Sequence, residues 1–91
     1  MHYLLSYEYV EDMVQRRGPY REGHLALARA AHERGELPMA GAFSEGPAGA
    51  VLLFRAEDPA VVERFVAADP YVQNGLVTHR QVRLLNVVFG G

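Results

Sequence analysis

The chain has 91 residues, nine arginines and no lysine against eleven acidic residues, a net charge of −2 and no cysteine. That length suits one domain, expected over residues 1–91, and the ordinary content of apolar and aromatic residues excludes a disordered tail. Disulfides, thiolate metal ligands, a cysteine nucleophile and a lysine Schiff base are excluded by composition, and the missing basic surplus argues against nucleic acid as a partner.

No run approaches the ~20 apolar residues that a membrane span needs. The opening MHYLLSYEYVEDM lacks the basic segment and cleavage site of a leader, so a cytoplasmic protein is expected. Tyr3 to Tyr9 alternate, with Tyr3, Leu5, Tyr7 and Tyr9 on one side and Leu4, Ser6 and Glu8 on the other, the pattern of a strand. The charged run Glu11–Arg17 ends at Gly18-Pro19, which punctuates the chain before the main helix. That helix is predicted over Arg21–Arg34, where alanine, leucine, arginine and glutamate dominate. Its apolar stripe takes His24, Leu25, Leu27, Ala28 and Ala31, and Gly35 stops it.

Leu37–Ser44 and Gly49–Arg55 read as the arms of a hairpin about the turn Glu45–Ala48, with the apolar AVLLF of the second arm in the centre of the sheet. Asp58-Pro59 is the start signal of a second helix that buries Val61, Val62, Phe65 and Val66. Asp69-Pro70 interrupts it. A short turn with Tyr71 and Val72 ends near Asn74-Gly75, and Leu76–Phe89 is the last extended segment. The order β-α-β-β-α-β is the split βαβ of an α+β, ferredoxin-like fold, a four-stranded antiparallel sheet with two helices on one face. On the first strand the bare face carries either the tyrosines or the Leu4/Ser6 set. A domain this small buries only about two-thirds of its unfolded surface, and an apolar bare face marks an interface, so a homodimer packed sheet to sheet is expected.

Few residues offer chemistry. His24 and His32 are eight positions apart, about 12 Å of helical rise, too far to share a metal. His2 stands at the terminus and His79 alternates with Val77, Gln81 and Arg83, so no metal motif emerges. Ser6 and Ser44 lie in no nucleophile elbow, and Gly41 and Gly46 form no phosphate loop. The tyrosine stripe suits a core or interface better than base stacking, given the acidic balance. His24 differs: it belongs to an apolar stripe, so it must find a hydrogen-bond partner or stay partly wet.

Asp69 ends the second helix, which neighbours the first on the sheet, and a carboxylate that orients an imidazole makes a general base. The same pair equally reads as a buried structural hydrogen bond. Asp69 also reads as a helix cap like Asp58, and spacing alone does not separate these roles. Tyr7, Arg80 and Arg83 are weaker candidates for holding an anionic or phenolic group.

The strand YLLSYEYV, the run REGHLALARAAHERGEL leading to MAGAF, then AVLLF and FVAADPYVQNGLV together resemble the YciI-like (YCII-related) family of the dimeric α+β-barrel group. The resemblance spans essentially the whole chain. It implies a ferredoxin-like domain dimerised through its sheets and a cleft holding a histidine–aspartate pair, His24 and Asp69 here. It further implies acid–base chemistry on small molecules, for which the expected reaction is proton abstraction with elimination or hydrolysis through an activated water, and it implies no metal or organic cofactor; some relatives are associated with degradation of hydroxylated or halogenated aromatic compounds. Two departures alter the cleft rim: Ala40-Gly41-Ala42 stands where many relatives have AGP, and the loop Ser44–Pro47 is shorter than theirs. The alternative is a non-catalytic dimeric module that binds a small ligand.

Overall fold

Alternation along the first strand decides which face of the sheet is covered. The computed structural model describes all 91 residues. In β1 (His2–Tyr9), Tyr3, Leu5 and Tyr7 are buried, whereas Leu4 and Ser6 are only half-buried and Glu8 is exposed. The tyrosine side therefore faces the helices, and the Leu4/Ser6 side is the bare one. After β1 come α1 (Met13–Arg16), α2 (Gly18–Glu33), β2 (Met39–Ala42), β3 (Gly49–Arg55), α3 (Ala60–Ala68), α4 (Pro70–Gln73) and β4 (Val77–Leu85). The strands lie in the order β2-β3-β1-β4 and every neighbour is antiparallel, a ferredoxin-like α+β arrangement. Leu5, Tyr7, Leu52 and Phe54 of the sheet close on Ala31 of α2 and on Val62, Phe65 and Val66 of α3.

Several boundaries depart from the sequence reading, each for a local reason. α2 begins three residues before Arg21, with Gly18-Pro19 inside its first turn, because the N–H that proline lacks has no intrahelical partner there. Its end is a Schellman closure: the Glu36 N–H donates to the Ala31 carbonyl and the Gly35 N–H to that of His32, with Gly35 at φ +80°. The charged run before α2 contains α1, anchored by buried Met13. The first arm of the hairpin pairs only over Met39–Ala42, so the connection is longer than the four-residue turn expected.

Extended pairing of the last segment stops at Leu85, not Phe89, because Leu85 lies opposite His2, where β1 itself begins. A bulge between Glu8 and Tyr9 puts Val77 opposite Tyr9 on the covered face and His79 opposite Glu8 on the bare one. Simple alternation, which groups Val77 with His79, fails at that extra residue. No helix is long and apolar enough to cross a membrane.

Candidate functional site

Asp69 is the only buried charged residue, with 0% of its surface exposed. Pro70 ends α3 and turns the Asp69 backbone extended, so its carboxylate points inward between two helices. Oδ1 accepts the Tyr71 N–H at 3.0 Å, which caps α4, and also the His24 Nδ1–H at 2.9 Å. Oδ2 accepts the Tyr7 hydroxyl at 2.8 Å. Cap and histidine partner are thus not exclusive readings; one carboxylate makes both contacts. Gly23 permits the approach that joins them, since a Cβ at that position would lie 3.2 Å from Pro70 Cγ.

The His24 ring stacks on Tyr71 with centroids 4.0 Å apart and planes 13° from parallel, so the stack fixes its plane and the Asp69 bond its rotation. Tyr71 meets the ring of Tyr9 edge-on. An ionised carboxylate only accepts, which assigns the proton to Nδ1 and leaves the Nε2 lone pair free. Nε2 has no partner in the chain, yet no buried side-chain nitrogen or oxygen lacks one, so Nε2 keeps contact with solvent.

Burial, then the charge of Asp69 and the hydrogen bond to it, push the Tyr7 phenol far above the ordinary tyrosine range. Tyr7 is held as a neutral donor. Burial likewise raises Tyr9, with Asp69 and Tyr71 adding to it and Arg17 opposing. Burial raises Tyr71 too, while Arg17 and then Arg21 pull it down.

A cleft of about 250 Å³ opens on His24 between α2 and the sheet. Tyr9, Tyr71, Arg17 and Arg21 wall it, and Ala50, Leu52 and Ala40-Gly41-Ala42 supply an apolar floor. That volume is below the usual range for drug-sized ligands but sufficient for a single aromatic ring. A larger hollow of about 330 Å³ between α2 and α3 has Arg34, Glu36 and Arg64 on its walls but neither histidine nor aspartate. No three histidine, aspartate or glutamate side chains converge as a metal would require.

Of the residues singled out from sequence, His24 and Asp69 are brought together. The other three, the weaker candidates for holding an anionic or phenolic group, do not line the cleft. Tyr7 is buried outside the cleft wall and reaches only Asp69. Arg80, opposite Tyr7 on β4, is exposed and does not line the cleft, and Arg83, opposite Leu4, lies on the bare face. The residues missed are Arg17, Arg21, Tyr9 and Tyr71. A signal existed: positions 17, 21, 24 and 28 share one side of a helix, but starting the helix at Arg21 removed Arg17 from it.

The fold and the site define a ferredoxin-like α+β domain in which a buried carboxylate holds a histidine over a small cleft. The family model of the YCII-related domain matches residues 1–86, and the chain belongs to that family. Among solved structures it is similar to the 5-chloro-2-hydroxyhydroquinone dehydrochlorinase TftG from Burkholderia phenoliruptrix, in complex with 2,5-dihydroxybenzoquinone. That match has 22% identity, covers 94% of each chain and has a TM-score of 0.80. A NIPSNAP family protein from Agrobacterium tumefaciens matches at 19% identity over 97% of this chain and 93% of that one, with a TM-score of 0.58. An antibiotic biosynthesis monooxygenase matches at 13% identity over 97% and 99%, also at 0.58. These likenesses establish the fold. Comparison by sequence with curated proteins gave no match.

Proposed function

We propose that this chain is a small-molecule enzyme in which His24 is the general base or acid, held by Asp69. The observation that carries the reading is the 2.9 Å bond from Nδ1 to a buried carboxylate while Nε2 stays free beside a cleft. A satisfied structural histidine has no need of a free nitrogen over an open space. Elimination is the reaction class we assign. Nε2 takes a proton from the substrate, the electron pair left behind forms a new π bond, and the leaving group departs with the electrons of its own bond. TftG, a dehydrochlorinase on the same fold, supports elimination over hydrolysis, and a hydroxylated, halogenated ring suits the cleft volume.

Asp69 stabilises the imidazolium formed in the step, and Tyr7, neutral because its phenol resists ionisation, fixes the carboxylate from behind. The bare sheet face is proposed to pair two copies. Leu4 and Val51, both half-buried, and the exposed Met39 share that face across three strands, an apolar patch of the kind that marks interfaces.

The test is chloride release from 5-chloro-2-hydroxyhydroquinone by the wild type and by His24→Ala. The expected loss in the variant is about 10²- to 10⁴-fold, the range of a positioned base, at an unchanged circular dichroism spectrum. Equal rates in the two proteins would remove His24 from the chemistry. Nitrogen NMR of the free wild type with a neutral imidazole should show a protonated Nδ1 and an unprotonated Nε2.

A further inference from the structure

The side chains of Arg17 and Arg21 make no hydrogen bond or ion pair within the chain, although acidic residues outnumber basic ones. Of the other arginines, Arg16 pairs with Asp12, Arg34 with Glu36 and Arg55 with two backbone carbonyls, and the unpaired Arg29, Arg64, Arg80 and Arg83 do not line the cleft that His24 faces. Four positions apart at the start of α2, both line the cleft that His24 faces, and no aspartate or glutamate lines it with them. The hydroxyls of Tyr9 and Tyr71 on the same wall have no partner in the chain either, and both keep contact with solvent.

We propose that Arg17 and Arg21 form the anion-binding end of the cleft, which takes a single-ring ligand bearing one anionic oxygen group, a carboxylate or a phenolate. The anionic group sits on the guanidinia and the ring lies along Tyr71 and Tyr9 toward His24 Nε2. Three observations converge on it. The two guanidinia carry the only formal charges on the cleft wall besides that of a protonated histidine. Both line the same cleft as Tyr71, and both pull the acidity of its phenol toward ionisation, so their charge is felt inside the cleft. Burial nonetheless keeps Tyr71 and Tyr9 neutral, so neither tyrosine cancels the positive charge. Guanidinium groups favour planar anionic oxygens because they offer paired donors along with charge. This names the substrate class of the site proposed above and rests on that reading for its catalytic consequence.

Binding tests it without turnover. Benzoate, benzamide and 4-nitrophenol are titrated into the intact protein at low salt, with the His24 side-chain resonances followed by proton–nitrogen NMR. Benzoate is expected to shift those resonances, and benzamide, its neutral counterpart, to bind at least about tenfold more weakly. Arg17→Gln and Arg21→Gln should each weaken benzoate by roughly tenfold, and the double variant should lose it. Neither side chain has a partner in the chain, so both variants should stay folded. 4-Nitrophenol, yellow only when ionised, should bind with a rise in yellow absorbance if the cleft accepts phenolates. Binding of either anion alone supports the proposal and tells carboxylate from phenolate. Equal affinity for benzamide and benzoate, full binding by the double variant, or no His24 shift with either anion overturns it. Loss of the catalytic reading with arginine-dependent binding intact leaves this proposal standing. An unchanged KM for the chlorinated substrate in the double variant removes this proposal and leaves catalysis by His24.

Discussion

Asp58-Pro59 and Asp69-Pro70 each stand where a helix begins, and in each the aspartate Oδ1 accepts the backbone N–H two residues on, from Ala60 at 2.9 Å and from Tyr71 at 3.0 Å. Locally the two are the same device. Asp58 does nothing further, because its carboxylate faces solvent. Asp69 stands where α3 breaks, beneath α2 and beside β1, and there the same carboxylate also receives His24 and Tyr7. The dipeptide sets the cap. The topology around it sets whether the remaining lone pairs meet water or two side-chain donors from distant parts of the chain.

The largest effect should come from removing each carboxylate in turn. Asp69→Ala strands a buried phenol and an imidazole N–H as well as a cap, at about 1–3 kcal/mol for each unsatisfied donor and about 1 for the cap, so roughly 3–7 kcal/mol is expected from urea unfolding. Asp58→Ala loses only an exposed cap and should cost about 1 kcal/mol or less. Equal losses at the two sites would dissolve the distinction between them. In the Asp69 variant the His24 tautomer should also cease to be fixed, which nitrogen NMR detects.

Tyr7→Phe sharpens the comparison at intermediate size, because it strips Oδ2 of its donor but leaves the cap and His24 in place. A loss of about 1–2 kcal/mol is expected near neutral pH. The pH dependence has a definite sign. Burial and Asp69 raise the folded-state pKa of Tyr7 above its unfolded value of about 10, so the folded chain holds a proton that the unfolded chain releases. That contribution is complete below about pH 10 and is lost as the pH rises beyond it, by up to ~1.4 kcal/mol per pH unit for this one group. Urea midpoints at pH 8 and pH 11 should therefore converge in Tyr7→Phe relative to the wild type. Part of the alkaline loss should persist, because Tyr9 and Tyr71 are raised as well.

Much of this was legible in the amino-acid order. The alternation of Tyr3 to Tyr9, the apolar AVLLF and the two Asp-Pro breaks lead to the strand order and to both helices, because each depends on neighbours in sequence. His24 and Asp69 could be nominated together from the adjacency of their helices. Three things depended on distance in space instead. Tyr7 lies 62 positions from Asp69 and reaches it only because β1 runs under α4, so its donor role left no mark in the local pattern. Arg80 and Arg83 required the bulge and the register of β4 before their faces could be assigned. Arg17 was hidden by a helix start placed at Arg21, since Pro19 reads as a stop unless the first turn is recognised as its favoured site.

Gly23→Ala probes the smallest effect, the closeness with which α2 is set against Asp69. Alanine in a helix interior is favoured over glycine by about 1 kcal/mol. Its Cβ, however, would stand 3.2 Å from Pro70 Cγ, tighter than ordinary contact, so the ring must repucker or α2 must move by a few tenths of an ångström. The two effects oppose, so the melting temperature should move by only a few degrees either way. The displacement does not cancel in the same manner, because any shift of α2 away from Pro70 carries His24, the next residue, with it. A shift of a few tenths of an ångström between Asp69 and His24 should lower chloride release by roughly three- to tenfold. A variant that melts like the wild type but turns over more slowly ties the rate to the spacing of α2 and α4, and one that keeps the full rate shows that the histidine follows its carboxylate. The exposed Asp58 has no counterpart to this coupling, since no second element rests on its proline.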